Sequence, residues 1–168
     1  MGKSARRIAP AARLADGRRC FTPHEANCAL VLVKRIVADI TEDYARLEEL
    51  QEIIDAAQLG DAGRGARQAQ EDIVIVAERL QHCAEEIEEI GVELKDWSAG
   101  VVDFPCLAEG RVIWLCWRLG EPKVAHWHEV DAGFAERQPV STMPGNRVLT
   151  DRKAKVAAGE SSRHHPMA

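Results

Sequence analysis

Apolar side chains in the first half of the chain recur at alternating steps of three and four residues, a spacing that predicts two long amphipathic helices. The first apolar stripe begins at Leu30, and the second begins at Ala66, beyond a glycine-rich segment at 60–65. Two heptad-patterned helices joined by a short loop are expected to pack as an antiparallel, coiled-coil-like hairpin. The sequence therefore predicts helices over 22–59 and 66–90.

The stretch FTPHEAN marks the start of the first helix. The Thr22 hydroxyl can cap the helix, and Pro23 suits the first helical position, where no backbone N–H is needed. Glu25 can reach back to the backbone N–H of Thr22 and close a capping box. Because three independent features agree, the sequence predicts a helix start at this point.

After residue 91 the apolar pattern changes to short extended runs separated by turn signals. The three longer runs span 101–107, 111–118 and 123–128, and a shorter run spans 92–96. Glu109 and Gly110 suit a two-residue turn between the first two longer runs, as in a β-hairpin. Pro105 favours an edge position for the run 101–107, because proline cannot donate a hydrogen bond to a neighbouring strand.

The predicted fold class is α+β: a long antiparallel two-helix hairpin followed by a small three-stranded antiparallel β-meander, with room for a fourth short strand. It forms a single domain over 21–140, with the meander at 92–130. Residues 1–20 and 141–168 have no apolar periodicity and are predicted to be disordered. The apolar stripes of two helices alone form a thin, one-sided core, which either the C-terminal segment or a second copy of the protein must cover. For this reason we expect a homodimer.

The net charge of −5 is unevenly distributed along the chain. The ends 1–20 and 137–168 each carry six lysines and arginines, against one and two acidic residues, so an acidic body carries two basic tails. Basic tails can contact nucleic acid. No aromatic side chains interleave with these charges, as a platform for single strands would need. Nucleic acid is therefore not an expected partner.

Apolar runs in this chain are only a few residues long, whereas a membrane-spanning helix needs about 20 apolar residues. The N-terminus is basic, but no apolar segment of a secretory signal follows it. The five cysteines are an odd number with no CxxC motif, which favours unpaired thiols in a reducing compartment. These features predict a cytoplasmic protein without a membrane partner.

The register of the meander decides whether a cluster of metal-binding side chains forms. With a two-residue first turn, Asp103 lies opposite Cys116, and a second loop over 119–123 places Cys116 opposite His126. The three side chains then share one face of the sheet. A loop over 119–122 would instead turn His126 to a different partner and break the cluster, because a one-residue slip flips a strand.

Carboxylate, thiolate and imidazole groups together suit zinc or another transition metal. The predicted ligands are Asp103, Cys116, His126, His128 and Glu129. The last two lie near the end of the third run, where they can add a ligand or an outer hydrogen-bond partner. The alternative is that the cysteine is a core residue and that both histidines face water or the helices.

The same hairpin carries rings and guanidinium groups that suit a ligand or partner surface. These residues are Arg111, Trp114, Arg118, Trp127 and Arg137. Arginine can bind a carboxylate or phosphate through two hydrogen bonds, and buried tryptophan anchors many interfaces. The alternative is that nearby acids pair with the arginines and that at least two of the four tryptophans cover the core.

Two classes of function follow. The leading prediction is a non-catalytic binding or assembly module that presents the helices and the Trp/Arg/His-rich hairpin to a protein or small-molecule partner. The alternative is a metal-binding protein or metal-dependent enzyme with its site on the meander. The sequence has no phosphate-binding loop, dinucleotide fingerprint or serine nucleophile elbow, and no residue is assigned a catalytic role.

Four motifs resemble one bacterial family, domain of unknown function 2203. They are FTPHEAN, GVELKDWSAGVVDFP, GRVIWLCWRLGEP and WHEVDAGFAERQPV, in this order over 20–140. The resemblance implies a shared fold of a helical hairpin and a small sheet, and it carries over no catalytic residue. The family motif GFxGR has Glu136 in place of its second glycine here, which argues against a tight phosphate-cradling turn.

Overall fold

The computed structural model describes residues 13–58 and 64–145, in which two helices precede a five-stranded antiparallel sheet. The helices are α1 (Pro23–Gln58) and α2 (Arg64–Ile90). The strands are β1 (Glu93–Asp96), β2 (Val101–Ala108), β3 (Arg111–Arg118), β4 (His126–His128) and β5 (Gln138–Pro139). They lie side by side in sequence order. The predicted α+β class is confirmed.

The helical hairpin begins at the predicted capping box. The backbone N–H of Thr22 donates to Glu25 Oε2 at 2.8 Å, and the backbone N–H of Glu25 donates to Thr22 Oγ1 at 3.2 Å. The two helices pack against each other along their apolar stripes, and the loop between them, 59–63, lies outside the described residues. Neither described helix has the length and apolar character needed to cross a membrane.

The hydrophobic core lies between the helices and one face of the sheet. Val33 and Val37 of α1 and Leu115 of β3 are completely buried in one cluster. Because successive strand residues point to opposite faces, the even-numbered residues of β2 and the odd-numbered residues of β3 face this core. The odd-numbered residues of β2 and the even-numbered residues of β3 lie on the opposite, outer face.

The sheet has more strands than the sequence predicts. The shorter run became β1, and the two-residue β5 pairs with β4. The prediction of an edge position for the Pro105 run is wrong for the first part of β2, which β1 covers up to Asp103. At Pro105 itself no strand of the described residues pairs on that side, and the Pro105 carbonyl accepts the backbone N–H of Phe21 at 2.7 Å. The missing N–H of proline therefore costs no strand–strand hydrogen bond.

Parts of the two predicted tails have defined structure. Arg13 and Arg19 form an antiparallel bridge around a turn, in which the Leu14 N–H donates to the Arg18 carbonyl at 2.8 Å. At the other end, a 3₁₀ turn spans Val140–Thr142. The remaining tail residues, 1–12 and 146–168, lie outside the described residues.

Candidate metal centre

The strand register brings the predicted cluster onto one face of the sheet. Asp103 pairs with Cys116 across β2 and β3, and Cys116 pairs with His126 across β3 and β4. This is the register predicted for a loop over 119–123, and it is confirmed. The shared face is the outer one, because residues of both strands at the alternate positions pack into the helix-facing core.

The side chains that meet are Asp103, Cys116 and His128. One oxygen, the sulfur and one ring nitrogen all lie within 4.8 Å of one another. His128 Nε2 is 3.1 Å from Asp103 Oδ2. The three residues are between 0 and 4% exposed. His128 follows His126 by two positions on the same strand face, so it reaches the carboxylate diagonally.

The hydrogen bond on the other side of the His128 ring fixes which nitrogen carries the proton. Nδ1 is 2.8 Å from the backbone carbonyl of Glu129, and a carbonyl can only accept, so Nδ1 is the donor. In the neutral imidazole Nε2 is then an acceptor, and it faces a carboxylate oxygen, which is also an acceptor when ionised. This buried pair needs a cation between its atoms, either a proton or a metal ion.

The other oxygen of Asp103 has no hydrogen-bond partner within the described residues. This atom, Oδ1, is buried. Burial raises the pKa of the Asp103 carboxyl, and the neighbouring Cys116 and His128, which act in the opposite direction, do not offset it. A buried carboxylate without full pairing destabilises a protein unless a proton or cation neutralises it.

Cys116 is a poor nucleophile in this setting. Burial, together with the negative charge of Asp103, raises the pKa of its thiol far above the ordinary value, although Arg137 acts in the opposite direction. The thiol therefore stays protonated at neutral pH, and a protonated, buried cysteine is unreactive. A bound divalent cation would reverse this balance, because coordination removes the thiol proton.

Two further predicted ligands lie outside this group of three. The His126 ring points toward Glu121, with 4.0 Å between Nδ1 and Oε1, and its buried Nδ1 has no hydrogen-bond partner in the described part of the chain. Glu129 forms an ion pair with Arg111 at 2.8 Å. Its contribution to the cluster is its backbone carbonyl, which orients His128.

The predicted ligand or partner surface is divided by the structure. Trp127 faces the core, 4% exposed, and donates its indole N–H to Thr142 Oγ1 at 3.2 Å. Arg137 is paired with Glu121 at 2.9 Å. Arg111 is paired with Glu129, as described above. Trp114 lies on the outer face but is buried, 6% exposed, beneath Lys95. Arg118 is exposed and has no carboxylate partner among residues 13–58 and 64–145.

A cavity of about 170 Å³ opens onto the cluster. Its walls include Lys95 and Phe134, which the sequence reasoning did not single out. The Lys95 ammonium lies 4.6 Å from the centre of the Trp114 ring, and the Arg137 guanidinium lies 3.6 Å from the centre of the Phe134 ring. The alternation of side chains along β1 and β2 could have predicted this position, because it places Lys95 close to the outer face.

Comparison with known proteins gives a family but no characterised relative. Residues 19–140 match the model of the family described as uncharacterized conserved protein (DUF2203). No curated protein and no solved structure matches the chain. The match spans the helical hairpin, the sheet and all three side chains of the cluster, well over half of the sequence. The chain therefore belongs to the DUF2203 family.

Proposed function

We propose that the protein binds a divalent transition-metal ion, zinc above all, through Asp103, Cys116 and His128. The observation that carries this proposal is the pair of acceptor atoms, His128 Nε2 and Asp103 Oδ2, held 3.1 Å apart in a buried site. A divalent cation at this point would satisfy both atoms and the unpartnered Oδ1 of Asp103, and it would take the Cys116 thiolate as its third ligand.

The donor set agrees with zinc chemistry. Zinc takes cysteine, histidine and carboxylate ligands, and its bond lengths imply donor–donor distances of about 3.3–3.6 Å in a tetrahedron. The donors here lie within 4.8 Å of one another, so small side-chain movements would complete the site. The His128 Nδ1–H that donates to the Glu129 carbonyl is the outer contact that zinc-bound histidines usually make.

Three protein ligands leave one coordination position for water or a ligand. This arrangement is typical of catalytic zinc sites, whereas structural sites usually have four protein ligands. The cavity beside the cluster offers the space for that position. All five cysteines are free, which favours a reducing, cytoplasmic setting in which Cys116 stays available as a ligand.

The test is the metal content of the full-length protein, purified without chelator in a His164→Ala/His165→Ala background that removes adventitious tail binding. We expect about one equivalent of zinc, as for a single three-ligand site. Cys116→Ala and His128→Ala should lose it. Cys106→Ala, which removes another buried thiol from the opposite face, should keep it. A metal-free parent protein, or equal metal in all variants, would contradict the proposal.

A second candidate function is assembly through the helices, with another copy of this chain as the partner. Four large apolar side chains on α1 and α2 are more than half exposed: Val31, Leu32, Val74 and Ile75. Exposed apolar patches on helices favour association. Light scattering should give the mass of a dimer for the parent protein, and the double variant Val74→Lys/Ile75→Lys should be a folded monomer. A monomeric parent protein at micromolar concentration would contradict this candidate function.

A further inference from the structure

We propose that the cleft beside the metal centre binds the oxyanion group, carboxylate or phosphate, of a small ligand whose other end reaches the metal ion. This inference rests on the proposed metal site and names the class of ligand for it. The side chain that would hold the oxyanion is Arg118.

The cavity over the cluster and the cleft beside it share part of their walls. The cavity over the cluster has a volume of about 170 Å³, and the adjoining cleft has a volume of about 420 Å³. Lys95, Val101 and Phe134 line both. Arg118 lines only the cleft, whereas the three cluster residues line only the cavity. A ligand anchored at Arg118 therefore has a short path along the shared wall to the metal position.

Arg118 has a guanidinium group free for such a ligand. No carboxylate oxygen of the described residues lies within the 4.0 Å of an ion pair, in contrast to the pairs that Arg111 and Arg137 form. The contact with Glu121 uses the backbone N–H of Arg118, not its side chain. The guanidinium carbon lies 5.8 Å from the centre of the Phe134 ring. A planar guanidinium with free donors matches carboxylate and phosphate through two parallel hydrogen bonds.

The acidic groups near the cleft are already engaged. Asp96 Oδ1 accepts hydrogen bonds from the backbone N–H groups of Ser98 and Ala99 and from the Ser98 hydroxyl. The hydrogen bonds from Ala99 and Ser98, followed by the charge of Arg118, lower the pKa of Asp96. Glu93 Oε2 is 2.6 Å from Lys95 Nζ. Among the described residues that line the cleft, Asp96 is the one acidic residue, and its Oδ1 is held by its own turn.

The charges expected around the loaded site balance one another. A divalent ion balanced by an ionised Asp103 and an ionised Cys116 is neutral. Lys95 is balanced by Glu93, and Arg137 by Glu121. Asp96 opposes the charge of Arg118 as well, so the charges around the cleft are paired, and the guanidinium donors of Arg118 would select the anion.

The first arm of the test uses inorganic phosphate and the metal-free, full-length protein. Phosphate titration is followed through the NMR signal of the Arg118 Nε–H. We expect saturable phosphate binding, and we expect Arg118→Ala to weaken it roughly tenfold or more, because hydrogen bonds to a charged group usually contribute that much to the affinity. Arg46→Ala should leave it unchanged, because Arg46 pairs with Glu49 on the exposed surface of α1. Equal phosphate binding in Arg118→Ala and the parent protein would overturn the inference.

The second arm uses cobalt-loaded protein, whose visible absorption reports exchange of the open ligand. The probes are 3-mercaptopropionate and propanethiol, which share a metal-binding sulfur and differ in the carboxylate. We expect 3-mercaptopropionate to bind roughly tenfold tighter, with the advantage lost in Arg118→Ala and kept in Arg46→Ala. No advantage in the parent protein would overturn the link between cleft and metal. A protein that binds phosphate at Arg118 but no metal would refute the proposed function and leave an anion site alone.

Discussion

The two faces of the sheet are both buried, but they are buried in different ways. The helix-facing side is covered by apolar contacts. Its members Phe104 and Leu115 have no polar side-chain atoms, and Trp117 donates its indole N–H to the Glu121 carbonyl at 3.0 Å. The outer side buries the contact between His128 Nε2 and Asp103 Oδ2, and Asp103 Oδ1 has no hydrogen-bond partner within the described residues. The first face has its polar groups paired, whereas the second has an unpaired carboxylate oxygen at the place where the proposed cation would bind. We therefore expect substitutions in the inner face to change stability, and substitutions in the outer face to change the proposed metal binding.

The largest effect on stability is expected from a substitution in the inner face. Leu115→Ala should lower the free energy of unfolding by about 2–5 kcal/mol, because it removes a completely buried side chain from a packed cluster. Urea unfolding in the presence of chelator measures this. The variant should still bind metal wherever it is folded, since Leu115 points away from the cluster. Loss of metal from folded Leu115→Ala would contradict the division between the two faces.

Zinc should stabilise the protein through the outer face. With free zinc at one hundred times its dissociation constant, the free energy of unfolding should rise by about 2.7 kcal/mol, the mass-action value for one site. Thermal unfolding with zinc and with chelator measures the difference. His128→Ala should abolish it, and His126→Ala should retain it. An equal response in both histidine variants would show that the ligand set is misassigned.

The substitution Asp103→Asn tests the outer face in the metal-free protein. The folded state holds the Asp103 proton more tightly than the unfolded state, because burial raises its pKa. This contribution to stability is present at low pH and is lost as the pH rises from the ordinary value through the raised one. An asparagine amide can donate to His128 Nε2 at every pH. In chelator, the variant should therefore be as stable as the parent protein or more stable near pH 7, by on the order of 1 kcal/mol.

The parent protein should also lose more stability than Asp103→Asn between about pH 4 and pH 7, where an ordinary carboxyl is ionised in the unfolded chain. Urea unfolding across this range gives the two slopes. In zinc the order should reverse, because the amide is a weaker ligand than a carboxylate. An Asp103→Asn protein that is strongly destabilised in chelator would argue for a buried ion pair in place of a metal site.

The smallest effect is expected at the rim of the outer face. Arg111→Ala removes a partly exposed ion pair with Glu129, so the free energy of unfolding should fall by only about 0.2–1 kcal/mol. The Glu129 backbone carbonyl, which orients His128, stays in place, and zinc content should not change. Chemical unfolding and metal analysis of the same sample check both statements. Loss of zinc would make Arg111 part of the centre.

The features predicted correctly are those that a local pattern determines. The capping box at Thr22 and Glu25 formed because three neighbouring residues specify it. The pairing of Asp103 with Cys116 followed from the two-residue turn at Glu109 and Gly110, where Glu109 adopts a positive φ of 50°. A turn of fixed length sets the register of every pair beyond it.

The features that sequence reasoning missed depend on contacts between distant segments. His126 and His128 share a strand face, so the pattern alone cannot choose between them. The Glu129 carbonyl and the reach to Asp103 make that choice. Trp127 lies between the two histidines, so alternation could have placed it in the core. β5 has only two residues and gives no periodic signal.

The most direct test of the central claim is X-ray absorption at the zinc edge of the full-length protein in the His164→Ala/His165→Ala background. The account predicts one sulfur at about 2.3 Å and the remaining ligands, nitrogen and oxygen, at about 2.0–2.2 Å. The sulfur should disappear in Cys116→Ala. A spectrum with only nitrogen and oxygen ligands, or a sulfur that persists in this variant, would show that the buried cluster on the outer face is not the metal site.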